Sequence, residues 1–393
     1  MLSVAANTIW ILFQACVGIY LVSPFLSFII YSLKSRQRKQ PIVLSQNDYG
    51  IIVTAYRNPD NLNHVISSLL KLQHGRYIVY VVADACPDFP DEYPDERVVI
   101  IKPAEELANQ VRSHFLAISH FKRSHNILTI IDSDNLVSPA YLTAMDHFFN
   151  NGFAAVQGVR KAKNLDTPYA CIDALNEIYY LFYDRKILFA IGSSSMLSGS
   201  GMAFTVGLYK ECMEPVSSTG AGFDKILQKE IIKRGHRIAF AEHAIVLDEK
   251  TSKPDQLIKQ RARWNNTWFR YYSFGLYLLG QGVKHLSINR FLSGFILTRP
   301  PLFLLLIIAF LILVANIFSS LAGTVVWLIL FLAFIAGFFI ALVRSDTDTR
   351  IYRSLAHIPK FILLQLLSLL KARKANQFSV ATEHTYNKEI EKI

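Results

Sequence analysis

No aspartate, glutamate, lysine or arginine lies between Met1 and Lys34, and none lies between Arg299 and Arg344. A helix needs about 20 apolar residues to cross the hydrocarbon of a bilayer. Within lipid the backbone must satisfy its own hydrogen bonds, which commits such stretches to helices. Ile9 to Tyr31 is long enough for one span. The second stretch divides at Ser319-Ser320 and Gly323, so Leu302 to Phe318 and Val325 to Val343 are each expected to span, joined as a tight hairpin. A signal peptide would show a basic n-region and a shorter apolar core, and the N-terminus shows neither. Phe361 to Leu370 is short for a span and is expected to lie at the interface.

Charge orients these segments. Lys34, Arg36, Arg38 and Lys39 follow the first run, and Arg344, Arg350, Arg353, Lys371, Arg373 and Lys374 follow the hairpin. Basic flanks stay on the cytoplasmic side, which puts the N-terminus outside and everything between the spans inside. The layout suits a bacterial inner membrane. The net charge of +11 is accounted for in the same way, and no nucleic-acid-binding module accompanies it, so no nucleic-acid partner is expected. With 52% hydrophobic and 18% charged residues the chain is neither disordered nor a disulfide scaffold. Cys16, Cys86, Cys171 and Cys212 are scattered and include no C-x-x-C, so neither a zinc site nor a disulfide framework is expected.

Between the apolar regions, Tyr49 to Asp248 has the patterning of a water-soluble domain. Apolar runs at Gly50–Ala55, Tyr77–Val82, Val98–Ile101, Ile127–Ile131 and Ala154–Val159 predict strands. Helical spacing predicts helices after Pro59 (Leu62, Val65, Ile66, Leu69, Leu70), over Leu107–Phe121 and over Pro139–Phe149. The alternation implies an α/β fold with a mostly parallel sheet covered by helices, and such sheets bind ligands beyond the carboxyl ends of their strands. Five units follow: 1–40, a transmembrane helix and basic segment; 41–258, a cytoplasmic domain; 259–299, interfacial helices rich in Trp, Tyr and Arg; 300–343, the hairpin; and 344–393, a cytoplasmic or interfacial tail.

The strand ends carry the chemistry. The first ends Thr54-Ala55-Tyr56-Arg57-Asn58, the second Ala83-Asp84-Ala85-Cys86, and the fourth Asp132-Ser133-Asp134-Asn135. No G-x-G-x-x-G follows the first strand and no G-x-x-x-x-G-K-[ST] occurs, which removes the support for a dinucleotide or P-loop site. Alternate carboxylates at a strand end suit a hard divalent cation that keeps positions open for substrate phosphates. The same D-x-D also serves as an ordinary turn or helix cap. Farther on stand Ser198-Gly199-Ser200-Gly201, Gly222-Phe223-Asp224 and Gln260-Arg261-Ala262-Arg263-Trp264. Singly, these read as a loop, a helix start and an interfacial anchor.

Together and in this order, D-x-D followed by Q-x-x-R-W resembles the membrane-bound family-2 glycosyltransferases, the branch of cellulose, chitin, hyaluronan and chitooligosaccharide synthases. The resemblance implies a GT-A-like mixed, mostly parallel sheet. It implies a divalent cation, Mg2+ or Mn2+, on Asp132 and Asp134, and a UDP-sugar donor met by Thr54, Ala55, Tyr56, Asp84 and Asp132. Asp224 would be the general base, and Gln260, Arg263 and Trp264 would line the diphosphate and acceptor site. Three positions depart from the pattern. Phe223 stands where an acidic residue usually precedes the base, Asn58 replaces a Glu, and the basic second phosphate contact falls to Gln110 or Arg112.

The implied reaction is inverting transfer to a glycan, giving a β-linked polysaccharide or oligosaccharide. Single-sugar transfer to a membrane lipid is the alternative, and a non-catalytic transporter or scaffold the more distant one. Partners are then the donor, a glycan or lipid-linked acceptor and membrane lipids. The few spans raise the expectation of a homo-oligomer or an accessory export subunit.

Overall fold

The computed structural model describes residues 2–34, 47–216 and 221–372. Arg36, Arg38, Lys39, Arg373 and Lys374, which helped orient the chain, lie outside the described residues. The chain opens with α1 (Leu2–Leu33) and continues through β1 (Tyr49–Tyr56), α2 (Leu62–Leu70), β2 (Tyr77–Asp84), β3 (Val98–Ile101), α3 (Gln110–Ser119), β4 (Ile127–Asp132), β5 (Leu136–Val137), α4 (Tyr141–Phe149) and β6 (Ala155–Ala162). Helix α5 (Pro168–Tyr180) runs through a π-helical segment (Leu181–Ile187) into α6 (Leu188–Ala190). Then come β7 (Met202–Thr205), α7 (Val206–Met213), α8 (Phe223–Lys233) and β8 (Ile238–Asp248). A long α9 (Pro254–Lys284) and α10 (Ile288–Thr298) lead to α11 (Leu302–Ser319), α12 (Leu321–Arg344), α13 (Thr349–Ser354) and α14 (Ile358–Lys371).

The strands form one mixed sheet in the order β3-β2-β1-β4-β7-β6-β8-β5. β3, β2, β1 and β4 are mutually parallel, and β7 runs antiparallel between β4 and β6. Ile51, Ile52, Val53, Val79, Tyr80, Val81 and Val82 are all fully buried, which is why these strands read as continuous apolar runs: helices cover both faces. Helix α2 buries Leu62, Val65, Ile66 and Leu69 on one face, the spacing seen in the sequence. Helix α3 starts at Gln110, three residues later than the periodicity suggests, because Asn109 caps it by accepting from the Arg112 N–H at 3.1 Å.

Strands β7 and β8 are not among those the sequence patterning predicts. β7 is only four residues long and follows Gly199 and Gly201, whose φ angles of 89° and 65° give the backbone the left-handed turns that aim it into the sheet.

Among the described residues, four helical segments are long and apolar enough to cross a membrane: Ala5–Leu33, Leu302–Ser319, Leu321–Arg344 and Thr349–Lys371. The first three pack together through Val17, Leu21, Leu305, Ala309, Ile312 and Trp327. Gln14 ties them by accepting from Asn316 Nδ2 and Trp327 Nε1, each at 2.7 Å. The fourth contains the Phe361–Leu370 patch, expected at the interface from its shortness; with α13 the segment is longer than that patch. Helix α14 packs on α9, where Asn265 Nδ2 donates to Ser368 Oγ at 3.0 Å.

The bundle is also fixed to the sheet domain. The Tyr183 hydroxyl on the π-helical segment donates to the Gly337 carbonyl of α12 at 2.7 Å. Helices α9 and α10 touch backbone to backbone. A Cβ on Gly294 would lie 2.5 Å from the Leu279 nitrogen, so only glycine permits that approach.

Candidate active site

The carboxyl ends of β1, β2 and β4 open into a cleft of about 1120 Å³. Strand register sets its floor: Thr54 stands beside Asp132 and Tyr56 beside Asp84. Thr54, Ala55, Tyr56, Asp84, Asp132, Asp134, Asp224, Gln260, Arg263 and Trp264 all line it. Residues far apart in sequence are therefore brought to one place. Arg112 is the exception. It is exposed, donates from Nη1 to the Leu107 carbonyl at 3.3 Å and is absent from the lining, whereas Gln110 is part of it.

Each side chain is held for a local reason. Asp84 is buried and its two carboxylate oxygens accept from the Leu107 and Ala108 N–H groups at 3.0 and 2.8 Å. That contact fixes the segment leading into α3. Arg57, Ala85 and Ala108, beside the cleft floor, have φ of 59°, 53° and 45°, a strained conformation for residues with a Cβ that marks functional sites more often than ordinary loops.

Asp132 donates its N–H to Ser200 Oγ at 3.0 Å. The Ser198–Gly201 loop is itself braced by Gln157, which accepts from the Ser198 N–H at 3.0 Å and donates to the Ser200 and Gly201 carbonyls, each at 3.2 Å. A Gly/Ser stretch open to a plain-loop reading is thus a rigid wall of the site.

Asp134 is buried and accepts from Asn135 Nδ2 at 3.1 Å. The same amide reaches Asp248 Oδ1 at 3.2 Å, linking the end of β8 to the end of β4. Asp248 is paired with Arg160 at 2.6 Å and Lys250 at 2.8 Å. Burial raises its pKa, but Arg160 and Lys250 outweigh burial and hold the carboxyl well below its usual range. Glu177 behaves alike: burial raises it, while Arg185, Arg160 and Lys250 hold it down at about 2. Asp132 and Asp134 are the residues that could hold a divalent cation, as two carboxylates lining the cleft at one strand end. Among the described residues no cluster of three or more His, Cys, Asp or Glu forms a closed metal cage.

Asp224 sits in the first turn of α8, 3.1 Å from Lys225 Nζ. The turn before it is Gly222, with φ +98°, and a Cβ there would lie 2.5 Å from the Tyr271 ring on α9. Phe223, in place of an acidic residue, is buried and packs edge-on against His114 with ring centroids 5.2 Å apart. Burial lowers the His114 pKa to about 3, and its Nδ1 is hydrogen-bonded with the Tyr209 hydroxyl at 2.7 Å.

On α9, Gln260 Oε1 is buried with no hydrogen-bond partner among the described residues. The Arg261 guanidinium lies 4.2 Å from the Trp264 ring centroid and pairs with Asp173. Burial lowers the Arg263 pKa from its ordinary value.

Sequence reasoning missed much of the charged lining: Arg160, Glu177, Asp184, Arg185, Asp248, Lys250 and Arg299. Asp248 ends the apolar run Ile245-Val246-Leu247 and so carries the same strand-end signal as Asp132. Arg299 is visible in the sequence only as the border of an apolar stretch.

A mixed sheet with a carboxylate-rich cleft at its parallel strand ends, followed by apolar helices, defines a GT-A-like transferase fold with candidate membrane segments. Residues 46–267, more than half of the chain, match the family model described as glycosyltransferase like family 2, and the chain belongs to that family. Among solved structures it resembles the mannosyltransferase PcManGT from Pyrobaculum calidifontis, determined in complex with GDP-Man and Mn2+. The match has a TM-score of 0.55 and 14% identity and covers 92% of this chain and 98% of that one. S. aureus TarS 1-349 in complex with UDP-GlcNAc also matches, with TM-score 0.43, 12% identity and coverage of 84% and 90%. No curated protein sequence matches the chain.

Proposed function

We propose that the chain is an inverting, metal-dependent glycosyltransferase that moves a sugar from a UDP-sugar to an acceptor hydroxyl at a cytoplasmic cleft beside the membrane. We place it in the membrane-bound branch that makes β-linked polysaccharides or oligosaccharides. One observation carries the reading. A single cleft joins the strand-end carboxylates Asp84, Asp132 and Asp134 to Asp224 and to Gln260, Arg263 and Trp264.

The roles follow from the chemistry. A divalent ion on Asp132 and Asp134 would supply charge neutralisation for the departing nucleoside diphosphate. Arg263 offers planar, permanently charged donors to phosphate oxygens. Thr54, Ala55 and Tyr56 form the edge against which the nucleotide lies. Asp84, whose oxygens hold the 107–108 backbone, shapes that edge and keeps the α3 entrance in place. Asp224 takes the proton of the attacking hydroxyl, a poor nucleophile near neutral pH. One base and one displacement invert the anomeric centre. Trp264 presents a flat apolar face to a sugar ring.

Single-sugar transfer to a membrane lipid is the second reading. It is favoured by the cleft's extension to Pro300, Pro301, Leu302 and Phe303, where the first hairpin helix begins. The test is to supply the purified protein with labelled UDP- and GDP-sugars and Mn2+, with glycan primers or extracted lipids, and to size the products. A ladder of lengths supports the polymer reading, and one product per lipid supports the second. Absence of nucleotide-sugar binding together with absence of transfer overturns both.

A further inference from the structure

The turn that carries Asp132 and Asp134 is closed by the Asn135 N–H, which donates to the Asp132 carbonyl at 3.1 Å. Two arms hold this turn from outside. On one side the Asp132 N–H donates to Ser200 Oγ, and the Gly201 N–H donates to the Ile130 carbonyl at 2.9 Å, so the 198–201 loop is fastened to the end of β4. On the other side Asn135 Nδ2 donates to both Asp134 Oδ1 and Asp248 Oδ1. Arg160 joins the two arms. Its Nη1 donates to the Ser198 carbonyl at 2.8 Å and its Nη2 to Asp248 Oδ2 at 2.6 Å. One guanidinium thus closes a ring that runs through Asp248 and Asn135 to the turn and returns through Ser200 and Ser198.

The sheet is irregular where it makes this ring. Strands β6 and β8 pair in parallel, but their register shifts between the Gln157–Phe240 and Val159–Ile245 partners, which leaves residues 241–244 of β8 outside the ladder. Such irregularities re-aim side chains beside active sites. Without the shift Arg160 would stand opposite His243 rather than Val246, and Asp248 would lie farther along the strand. The shift depends on Gly158, where a Cβ would lie 2.4 Å from the Ala244 carbonyl oxygen and 3.1 Å from that of Gly201. Burial opposes the Arg160 charge, but Asp248, Glu177 and Asp132 outweigh it and hold its pKa above the ordinary value.

We propose that Arg160 is a positioning residue for the metal-binding carboxylates, holding Asp132 through Ser198 and Ser200, and Asp134 through Asp248 and Asn135. This role rests on the proposed metal-dependent transferase reading. A working site holds its ligands to within about 0.5 Å through side chains behind them. Before an ion arrives the two carboxylates repel each other, and the ring opposes their spreading. Lysine cannot take the place of Arg160, because an ammonium has no planar fork to span acceptors on two separate segments.

The test uses the full chain in phosphatidylcholine nanodiscs, with UDP as the probe and either Mn2+ or a chelator present. Wild type should bind UDP more tightly with Mn2+. R160K keeps the charge but loses the fork. It should lose roughly tenfold of that enhancement, with UDP affinity in chelator unchanged. S200A removes only the Asp132 arm and should lose roughly threefold. The double variant should lose less than the product of the two, because Arg160 acts in part through the loop that carries Ser200. Hydrogen exchange gives a second readout. R160K should speed exchange at the Asp132, Asn135 and Gly201 amides and leave those of β2 unchanged.

A metal enhancement in R160K equal to that of wild type overturns the inference. So does a loss of UDP affinity in R160K that is the same with Mn2+ and with chelator, which makes Arg160 a nucleotide contact. If R160K does not fold, S200A carries the test, and unchanged enhancement with unchanged exchange at Asp132 overturns the inference. Wild-type UDP affinity that is indifferent to Mn2+ is a separate result. It overturns the metal-dependent reading itself, while exchange in R160K still decides whether Arg160 holds the turn.

Discussion

Replacing Asp224 by Asn separates catalysis from stability, because the structure assigns the two effects different sizes. Asp224 contributes to folding in two modest ways. A carboxylate in the first turn of a helix is worth about 0.3–1 kcal/mol. A partly exposed ion pair, here with Lys225 Nζ at 3.1 Å, is worth about 0–1 kcal/mol. Their sum stays below about 2 kcal/mol, or a fall in Tm below about 8 °C for a domain of this size. Loss of a general base costs about 10²- to 10⁴-fold in rate, or about 2.7–5.5 kcal/mol on the barrier. The amide keeps the shape and loses only the proton-accepting charge. Single-turnover transfer should therefore fall at least a hundredfold, with nucleotide affinity unchanged and the melting transition little moved. A folded D224N protein that transfers sugar within threefold of wild type would refute the assignment.

Three further outcomes follow from other parts of the molecule. Gln14→Leu strands the Trp327 N–H in an apolar setting and removes one of the two Asn316 contacts, so it should destabilise the helix bundle by about 1–2 kcal/mol, measured as a lowered Tm in detergent. Gly294→Ala drives a Cβ into the Leu279 backbone; the separation of α9 from α10 it forces should lower both Tm and transfer rate, with Ala at the open Gly280 as a neutral control. His114 has its folded pKa lowered to about 3 from an unfolded value of about 6.5. A lowered folded pKa means that the unfolded chain binds the extra proton, so this contribution is full above pH 6.5 and is lost as pH falls towards 3. Between pH 6.5 and 5, above the range where Glu177 titrates, stability should decline by up to about 1.4 kcal/mol per pH unit, and His114→Gln should flatten that decline in denaturant melts.

Much of the site is legible in the sequence because strand ends announce themselves. Ile127 to Ile131 is an unbroken apolar run, and a buried parallel strand must stop where its chain becomes polar, so the pattern alone puts Asp132 at a carboxyl end. Asp84 is legible in the same way. The α9 motif is legible through its resemblance to Q-x-x-R-W rather than from its own composition, which reads as an interfacial anchor. What stays hidden is what depends on pairing across the chain. Arg299 and Asp184 are 115 positions apart, and nothing in either segment reveals that they meet. Arg160 is an ordinary basic residue on a strand until β8 supplies Asp248 beside it. The π-helical segment that turns Asp184 and Arg185 to the same cleft leaves no composition signal. The apparent defect at Phe223 becomes intelligible only with His114 packed against it. Of the two candidates for the second phosphate contact, Gln110 lines the cleft and Arg112 does not, a difference set by where the helix capped by Asn109 begins and not visible in the sequence.

The most direct test of the account is the rate of nucleoside diphosphate release from a panel of UDP- and GDP-sugars by the full-length protein in nanodiscs, with Mn2+, after chelation, and in the Asp134→Asn variant. The account predicts release from a UDP-sugar that stops on chelation, resumes on adding Mn2+ or Mg2+, and falls by at least a hundredfold in the variant at saturating metal. Release that is indifferent to chelator and to Asp134 would contradict the claim that the strand-end carboxylates run this chemistry.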